Sequence, residues 1–195
     1  MNHYLRISPR LFALVPAAVA INLVVGGVVR ELSLPVYLDT AGTVLVAVLA
    51  GFLPGVLVGT LSQLLMGLLT GYQYLPFVVI QWLLAALVAL ATRRRGFASL
   101  GRTIAWGITC GLLCGAASAA ISYFLFRGGT GGGVAWVTAG LRALGYPLPL
   151  AVAIGSGSTD VLDKSIVIIV VGVLLRTLPK RILGRFPLAA RAVAR

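Results

Sequence analysis

Few side chains in this sequence could do chemistry, and the acidic residues are the most informative of them. The 195 residues include four acidic residues and one histidine. The acidic residues are Glu31, Asp39, Asp160 and Asp163, whereas His3 lies in the N-terminal segment. The sequence contains no Ser-His-Asp set, no cluster of metal ligands and no nucleotide-binding motif. These observations predict a protein without catalytic residues, without a metal and without a cofactor.

Two cysteines and a run of glycines are the other candidates for chemistry. Cys110 and Cys114 are four residues apart in an apolar segment, a spacing typical of helix packing rather than of a disulfide framework. The glycines within residues 128–133 are not followed by Gly-Lys-Ser/Thr, so they do not form a phosphate-binding loop. Neither feature predicts a redox or nucleotide-dependent function.

The composition is that of a membrane protein. Hydrophobic residues make up 59% of the chain and charged residues only 10%, whereas a soluble domain carries roughly a quarter charged residues. A net charge of +12 would suggest nucleic acid as the partner of a soluble protein. Here the basic residues lie between and after the apolar segments, which indicates membrane topology instead and no nucleic-acid partner.

Six apolar segments could each cross a bilayer as a helix. Crossing the hydrocarbon core of ~30 Å takes about 20 helical residues. The first segment is predicted to be a retained helix rather than a signal peptide, because its apolar run is long enough to span. The pattern predicts an all-α bundle in one domain, residues 1–195, with transmembrane helices at about 11–29, 36–52, 55–70, 75–91, 103–126 and 158–178.

The distribution of basic residues predicts the orientation of this bundle. Cytoplasmic segments of membrane proteins carry an excess of Lys and Arg. Six crossings would place Arg30, Arg127 and Arg142 on one side of the membrane. The other side would carry Arg6, Arg10, Arg93, Arg94, Arg95, Arg102, Arg176, Lys180, Arg181, Arg185, Arg191 and Arg195. Both termini are therefore predicted to be cytoplasmic.

Several charged residues fall at one depth in the predicted helices. With Arg176 as the cytoplasmic end of the last helix, Lys164 lies about 18 Å and Asp160 about 24 Å above it. Asp39, counted from Leu53 along the second helix, lies about 21 Å above that end. Ionisable residues inside a membrane are costly unless they are paired or hydrated. Together with Asp163, they predict a water-accessible binding cavity in the outer half of the bundle.

Another interpretation of these charges stays open. Asp160 and Lys164 have the i,i+4 spacing of a helical ion pair, and residues 158–160 read Ser-Thr-Asp, which suits the start of a helix. The charges could then simply cap the last helix at the surface. The candidate lining residues on other helices, each of which could also be a packing residue, are Gln81, Trp82, Asn22, Gln63, Tyr72 and Tyr74.

Residues 127–157 form the one long predicted connection. Loops of this length in compact domains are usually functional or disordered. The predicted topology places this loop outside, and it contains Trp136. We expect a partly ordered lid over the cavity with Trp136 as a substrate contact, and a plain flexible connector is the alternative.

Three stretches of the sequence resemble a known family. The first comprises residues 34–43, which read LPVYLDTAGT, and residues 51–55, which read GFLPG. The second is ALVPA at residues 13–17, which has two alanines one helical turn apart. The third is DVLDK at residues 160–164, which is followed by LPKR at 178–181 and RFP at 185–187. Over nearly its whole length the chain resembles the substrate-binding S components of energy-coupling factor (ECF) transporters, the ABC-type vitamin importers of prokaryotes.

This resemblance implies a non-catalytic subunit in the plasma membrane of a prokaryote. Its implied partners are a small vitamin-like substrate, a transmembrane coupling protein and two ATPase subunits. The substrate site would lie among the last three helices and the outer loops, and Ala13 and Ala17 would face the coupling protein. Two net negative charges in the cavity favour a ligand with cationic or hydrogen-bond-donor groups over a polyanion.

Two other functions remain open at this point. The chain could be the membrane sensor module of a signalling protein, although the tail after Leu178 is expected to be too short for an output domain. It could also be an autonomous small transporter or channel. Such carriers favour internal repeats and ionisable residues near the midplane of the membrane. The sequence has no convincing repeat, and its charges are predicted to lie toward the outside.

Overall fold

The computed structural model describes residues 9–130 and 132–194, and these residues form helices and connecting turns, with no strand. His3, Arg6 and Arg195 lie outside the described residues. The prediction of an all-α fold is confirmed for the described part of the chain. Its helices are α1 Pro9–Glu31, α2 Ala41–Ala50, α3 Phe52–Thr70, α4 Val78–Arg93, α5 Leu100–Phe126, α6 Gly132–Ala143, α7 Leu148–Thr177, α8 Lys180–Leu183 and α9 Pro187–Val193, and a 3₁₀ helix, Tyr72–Phe77, precedes α4.

Four stretches of the described chain are long and apolar enough to cross a membrane, which indicates a membrane protein. They are Ala13–Glu31, Phe52–Thr70, Tyr72–Arg93 and Leu100–Phe126. The other two predicted spans differ from them. With 10 residues, α2 is only about 15 Å long, and the 30-residue α7 carries three charged residues near its middle.

The second helix starts later than the sequence predicts. The prediction of a helix over residues 36–52 is wrong, because residues 32–40 form an irregular segment in which Ser33 and Leu38 adopt left-handed conformations. Gly51, with φ of +97°, then ends α2, and α3 begins at once with Pro54 in its first turn. The first turn of a helix tolerates proline, so α3 starts three residues before the predicted residue 55.

The last long helix starts earlier than predicted. α7 begins at Leu148, ten residues before the predicted residue 158, and Pro149 lies in its first turn, where proline fits. Residues 158–160 therefore lie inside a helix, and the interpretation of Asp160 as a surface cap is wrong. The predicted outer loop, residues 127–157, is also wrong as a loop, because it contains α6 and the first ten residues of α7.

The packing of α5 against α7 depends on glycines of α5. A Cβ atom on Gly111 would lie 2.5 Å from Val161 Cα, and one on Gly115 would lie 3.0 Å from Gly157 Cα. Only glycine allows this backbone-to-backbone approach, which orders the two helices antiparallel along their length. Gly157, which lies in the predicted loop, therefore belongs to this helix interface.

The short helix α2 lies at the centre of the bundle. It packs against α1, α3, α4, α7 and α9, and most of its side chains are buried. Near its C-terminal end, α9 packs against α2 and α4 with Ala189 and Ala192 fully buried. The opposite end of α2, with the irregular segment 32–40 before it, faces the middle of α7.

Candidate functional site

Three charged side chains in the middle of α7 form the centre of the candidate site. Asp160, Asp163 and Lys164 are at most 2% exposed. The ammonium nitrogen of Lys164 lies 3.2 Å from Asp160 Oδ1 and also forms an ion pair with Asp163 Oδ2. The predicted i,i+4 pair is thus present, although Lys164 is shared between two carboxylates. Removal of either partner would leave a buried charge uncompensated, which is strongly destabilising.

Asp163 holds the irregular segment in place. Its Oδ1 accepts hydrogen bonds from the backbone N–H groups of Tyr37, at 3.1 Å, and Leu38, at 2.6 Å. Leu38 has a left-handed backbone, which is unfavourable for a residue with a side chain and is held here by its bond to Asp163. Both oxygens of Asp163 are therefore occupied by contacts within the protein. Asp163, predicted to bind substrate, instead positions the segment that carries Asp39.

A cavity lies beside this cluster, between segment 32–40, the 3₁₀ helix, α3, α4, α5 and α7. The space between its walls and across its open mouth is about 430 Å³. Its charged wall consists of Asp39, Asp160 and Lys164, and Gln63 and Gln81 contribute amides. The sequence-predicted residues Asp39, Asp160, Lys164 and Gln81 are thus brought together at one cavity, as are Gln63 and Tyr74.

Some polar atoms in the cavity wall have no partner within the protein. Asp160 Oδ2 and Thr40 Oγ1 are buried and form no hydrogen bond with any described residue. The carboxylate of Asp39, which is partly exposed, forms no ion pair within residues 9–130 and 132–194. A buried polar group without a partner costs roughly 1–3 kcal/mol. The cavity therefore offers acceptor atoms that a ligand with hydrogen-bond donors would satisfy.

A polar network fixes the wall of the cavity around the start of α2. The side-chain amide of Asn22 donates to Thr43 Oγ1 and Ser62 Oγ, both at 3.0 Å, and its oxygen accepts from the Gly42 N–H at 2.7 Å. Thr43 donates to Gln81 Oε1 at 2.7 Å, and Gln81 Nε2 donates to the Asp39 carbonyl at 3.3 Å. Asn22 was a candidate lining residue, and the structure places it in this supporting network instead.

Three aromatic residues expected near the substrate lie away from the cavity. Trp82 is 42% exposed and donates to Thr60 Oγ1 at 2.8 Å, Trp136 on α6 is 72% exposed, and Tyr72 is 80% exposed. Ile80 and Gln81 form the buried side of α4 at this level, and Trp82, about 100° further around the helix, faces outward. The prediction of Trp82 and Trp136 as cavity residues is therefore wrong.

The structure adds cavity residues that the sequence interpretation missed. Two of them, Tyr37 and Thr40, lie within two residues of Asp39 in the irregular segment. Their closeness in sequence to a predicted site residue could have indicated that they line the cavity. Ser118 lies one helical turn after Cys114 on the face of α5 that meets α7. The remaining additions are Phe77, Ile80 and Thr130.

A second cavity adjoins the first. It shares Tyr37, Asp39 and Tyr74 with the larger cavity and adds Arg30 of α1. The guanidinium of Arg30 lies 3.8 Å from Glu31 and 3.3 Å from the sulfur of Met66. Asp39 thus lies in the wall between two cavities.

The cysteines and the predicted partner surface lie elsewhere. Cys110 and Cys114 are free thiols buried in α5, and no group of three or more potential metal ligands occurs within the described ranges. Ala13 and Ala17 are exposed on α1, whereas Ala18 and Val19 of the same helix are buried. The two alanines are therefore accessible to a partner in the membrane.

These features describe a helical membrane protein with a buried, charge-lined cavity. No family model matches this chain, and no curated protein or solved structure matches it either.

Proposed function

We propose that this chain is the substrate-binding subunit of an ECF-type importer for a vitamin-like micronutrient. In this proposal it captures a small molecule at the outer face of a prokaryotic plasma membrane. It then delivers the molecule through a transmembrane coupling protein driven by two ATPase subunits. The observation that carries the proposal is the cavity, in which acceptor atoms of Asp160 and Thr40 remain unpaired beside aromatic walls. Convergent polar groups in an otherwise apolar pocket are the general signature of a small-molecule site.

The proposal includes six crossings, with α2 and α7 added to the four apolar spans. α7 is about 45 Å long, and the three charged residues near its middle are shielded from lipid because each is at most 2% exposed. α2 covers about half of the hydrocarbon, and segment 32–40 completes the crossing. Irregular backbone is tolerated at that depth where its polar groups are hydrogen-bonded within the protein, as Asp163 does for the N–H groups of Tyr37 and Leu38.

This topology places the cavity mouth on the outer side and both termini in the cytoplasm. The basic residues Arg93, Arg176 and Arg181 lie at the end of the bundle opposite the cavity. An excess of basic residues on the cytoplasmic side supports that orientation. The same end carries Ala13 and Ala17 of α1, so the proposed coupling surface and the proposed substrate site are at opposite ends.

A second candidate function is that of an autonomous small transporter. The observation that favours it is α2, a half-length helix whose N-terminal end and preceding irregular backbone border the cavity. Discontinuous helices of this kind build the substrate and ion sites of many secondary transporters. The two functions differ in one requirement, because only the importer subunit needs a coupling partner.

The deciding experiment is affinity purification of the tagged chain from its native membranes in mild detergent, with co-purifying proteins identified by mass spectrometry. We expect a multi-pass coupling protein and ATPases that carry a Walker A motif. Ala13→Trp and Ala17→Trp should each abolish the assembly, since a bulky ring would keep another helix out of van der Waals contact with α1. Ala105→Trp, at an exposed alanine of α5, is the matched control and should leave the assembly intact.

Substrate uptake by cells that contain the coupling proteins is the second measurement. Both α1 variants should lose uptake while the isolated subunit still binds its ligand. Normal assembly and normal uptake with Ala13→Trp and with Ala17→Trp would contradict the importer-subunit proposal and favour the autonomous transporter.

A further inference from the structure

We propose that the substrate of this site is a small organic cation, a planar molecule with a protonated nitrogen that binds between Asp39 and Asp160. This inference rests on the proposed function, because it names the class of molecule that the same cavity takes. Its basis is the imbalance between the carboxylates that surround the cavity and the cations available to pair with them.

The charges at the cavity do not balance within the protein. Asp39, Asp160 and Asp163 contribute three negative charges and Lys164 one positive charge, which leaves two negative charges. Arg30, which borders the second cavity beside Asp39, pairs with Glu31 at 3.8 Å and forms no ion pair with Asp39. The N-terminal end of α2 adds only about half a positive charge. A bound monocation would neutralise most of the remaining negative charge.

The unpaired atoms specify donors on that cation. Lys164 reaches Asp160 Oδ1, so Asp160 Oδ2 remains unpaired and buried at the wall of the cavity, which Thr40 also lines with its unpaired Oγ1. Two N–H groups on one nitrogen-containing head group would match two acceptor sites. A bare metal ion fits less well, because no group of three or more potential metal-ligand residues occurs among the described residues and Lys164 would repel it.

Aromatic walls favour an organic cation. Tyr37, Tyr74 and Phe77 line the cavity. The ring of Phe77 stacks on Phe126 with a centroid separation of 6.1 Å, which holds one aromatic wall in place. Cations attached to planar groups bind well against aromatic faces. The space of about 430 Å³ includes the open mouth of the cavity, so the enclosed part admits only a compact ligand.

Three probes of nearly equal size test the charge requirement: benzamidine, which is cationic at neutral pH, benzamide, which is neutral, and benzoate, which is anionic. The purified full chain, in lipid nanodiscs, is titrated with each probe by calorimetry and by ligand-induced thermal stabilisation. We expect benzamidine to bind at least tenfold more tightly than benzamide, and benzoate to show no binding. Loss of one hydrogen bond to a charged group corresponds to roughly tenfold or more in affinity.

Two isosteric variants locate the effect in the cavity. Asp160→Asn and Asp39→Asn should each weaken benzamidine binding at least tenfold. Glu31→Gln removes a carboxylate that is 81% exposed and lies outside both cavities, so it should bind benzamidine as the unchanged chain does. If Asp160→Asn does not fold, Asp39→Asn alone tests the charge requirement. This variant is expected to fold, because the Asp39 carboxylate has no side-chain partner in the described structure.

Four outcomes would overturn the inference. They are equal affinities for benzamidine and benzamide, unchanged benzamidine binding by both Asp→Asn variants that fold, no binding of any probe, and a co-purified ligand that native mass spectrometry identifies as neutral or anionic. The proposed function is tested separately by assembly with the coupling proteins. An intact assembly with a neutral co-purified ligand would contradict the proposed cationic substrate and support the importer-subunit function. Cation binding without any assembly would support the cationic substrate and contradict the importer-subunit function.

Discussion

Among single residues, the three charged side chains of α7 have different tasks. Asp163 contacts Lys164 and two backbone N–H groups of segment 32–40, so both of its oxygens are occupied. Asp160 contacts Lys164 with one oxygen and leaves the other unpaired at the cavity wall. Asp→Asn substitutions should therefore cause different losses, in stability at Asp163 and in both stability and ligand binding at Asp160.

The stability of the fold should depend strongly on Asp163. In Asp163→Asn, the single amide oxygen cannot accept hydrogen bonds from Lys164 and from both backbone N–H groups, as the two carboxylate oxygens do. The neutral side chain also removes one of the two negative charges that pair with Lys164. Breaking a buried ion pair by changing one partner costs about 3–5 kcal/mol of the free energy of unfolding. Thermal unfolding in detergent, followed by tryptophan fluorescence, should show a large fall in Tm. Glu31→Gln is the control with an unchanged Tm, and an equally unchanged Tm for Asp163→Asn would refute the assigned role.

Among the helices, the pair α5 and α7 positions the site. Gly107, Gly111 and Gly115 recur at four-residue intervals along one face of α5, and each lies against the backbone of α7. This close packing sets the position of Asp160 and Lys164 relative to Ser118 and the cavity. The site should therefore respond to changes on α5 that touch neither the charges nor the ligand.

Gly111→Ala tests this dependence. Its new Cβ would lie 2.5 Å from Val161 Cα and 2.9 Å from the Asp160 carbonyl oxygen, so the two helices must separate. We expect a loss of about 1–3 kcal/mol in the free energy of unfolding, the usual range for overpacking, and weaker benzamidine binding. Both are measured by the thermal and calorimetric titrations described above.

The matched control is Gly101→Ala in the same helix. A Cβ on Gly101 meets nothing within 4 Å, and alanine is the better helix former. This variant should keep wild-type stability and binding. Equal behaviour of the two alanine variants would mean that the close approach of α5 and α7 does not position the site.

For the whole molecule, the orientation and the crossing of α7 can be tested with cysteine labels. The native Cys110 and Cys114 are fully buried, so the wild-type chain should give a low background. Arg94→Cys, Leu144→Cys and Arg181→Cys place single thiols at exposed positions before α5, before α7 and after α7. A membrane-impermeant maleimide is then applied to right-side-out and inside-out vesicles.

The six-span topology predicts opposite labelling across α7. Leu144→Cys should react only from outside, and Arg94→Cys and Arg181→Cys only from the cytoplasmic side. Labelling of Leu144→Cys and Arg181→Cys from one side would show that α7 does not cross, and reaction of Arg94→Cys from outside would reverse the orientation.

The sequence by itself determined the features that depend on local composition and spacing. The all-α class follows from long apolar runs, and α1, α4 and α5 begin and end within three residues of the predicted bounds. The pairing of Asp160 with Lys164 follows from their i,i+4 spacing on a helix. Each of these features depends on residues within one or two turns of each other, so hydropathy and periodicity suffice to find them.

The tertiary structure decided the features that depend on residues far apart in the chain. The delayed start of α2 depends on Asp163, which bonds the backbone of Tyr37 and Leu38 across more than 120 residues. The first turns of α7 pack on other helices, with Gly155 against Thr138 of α6 and Gly157 against Gly115 of α5. Gln81 faces the cavity and Trp82 does not, because the neighbours of α4 determine which side of the helix is buried. Long-range hydrogen bonds and close backbone contacts leave no local pattern, so only the folded arrangement of the helices reveals them.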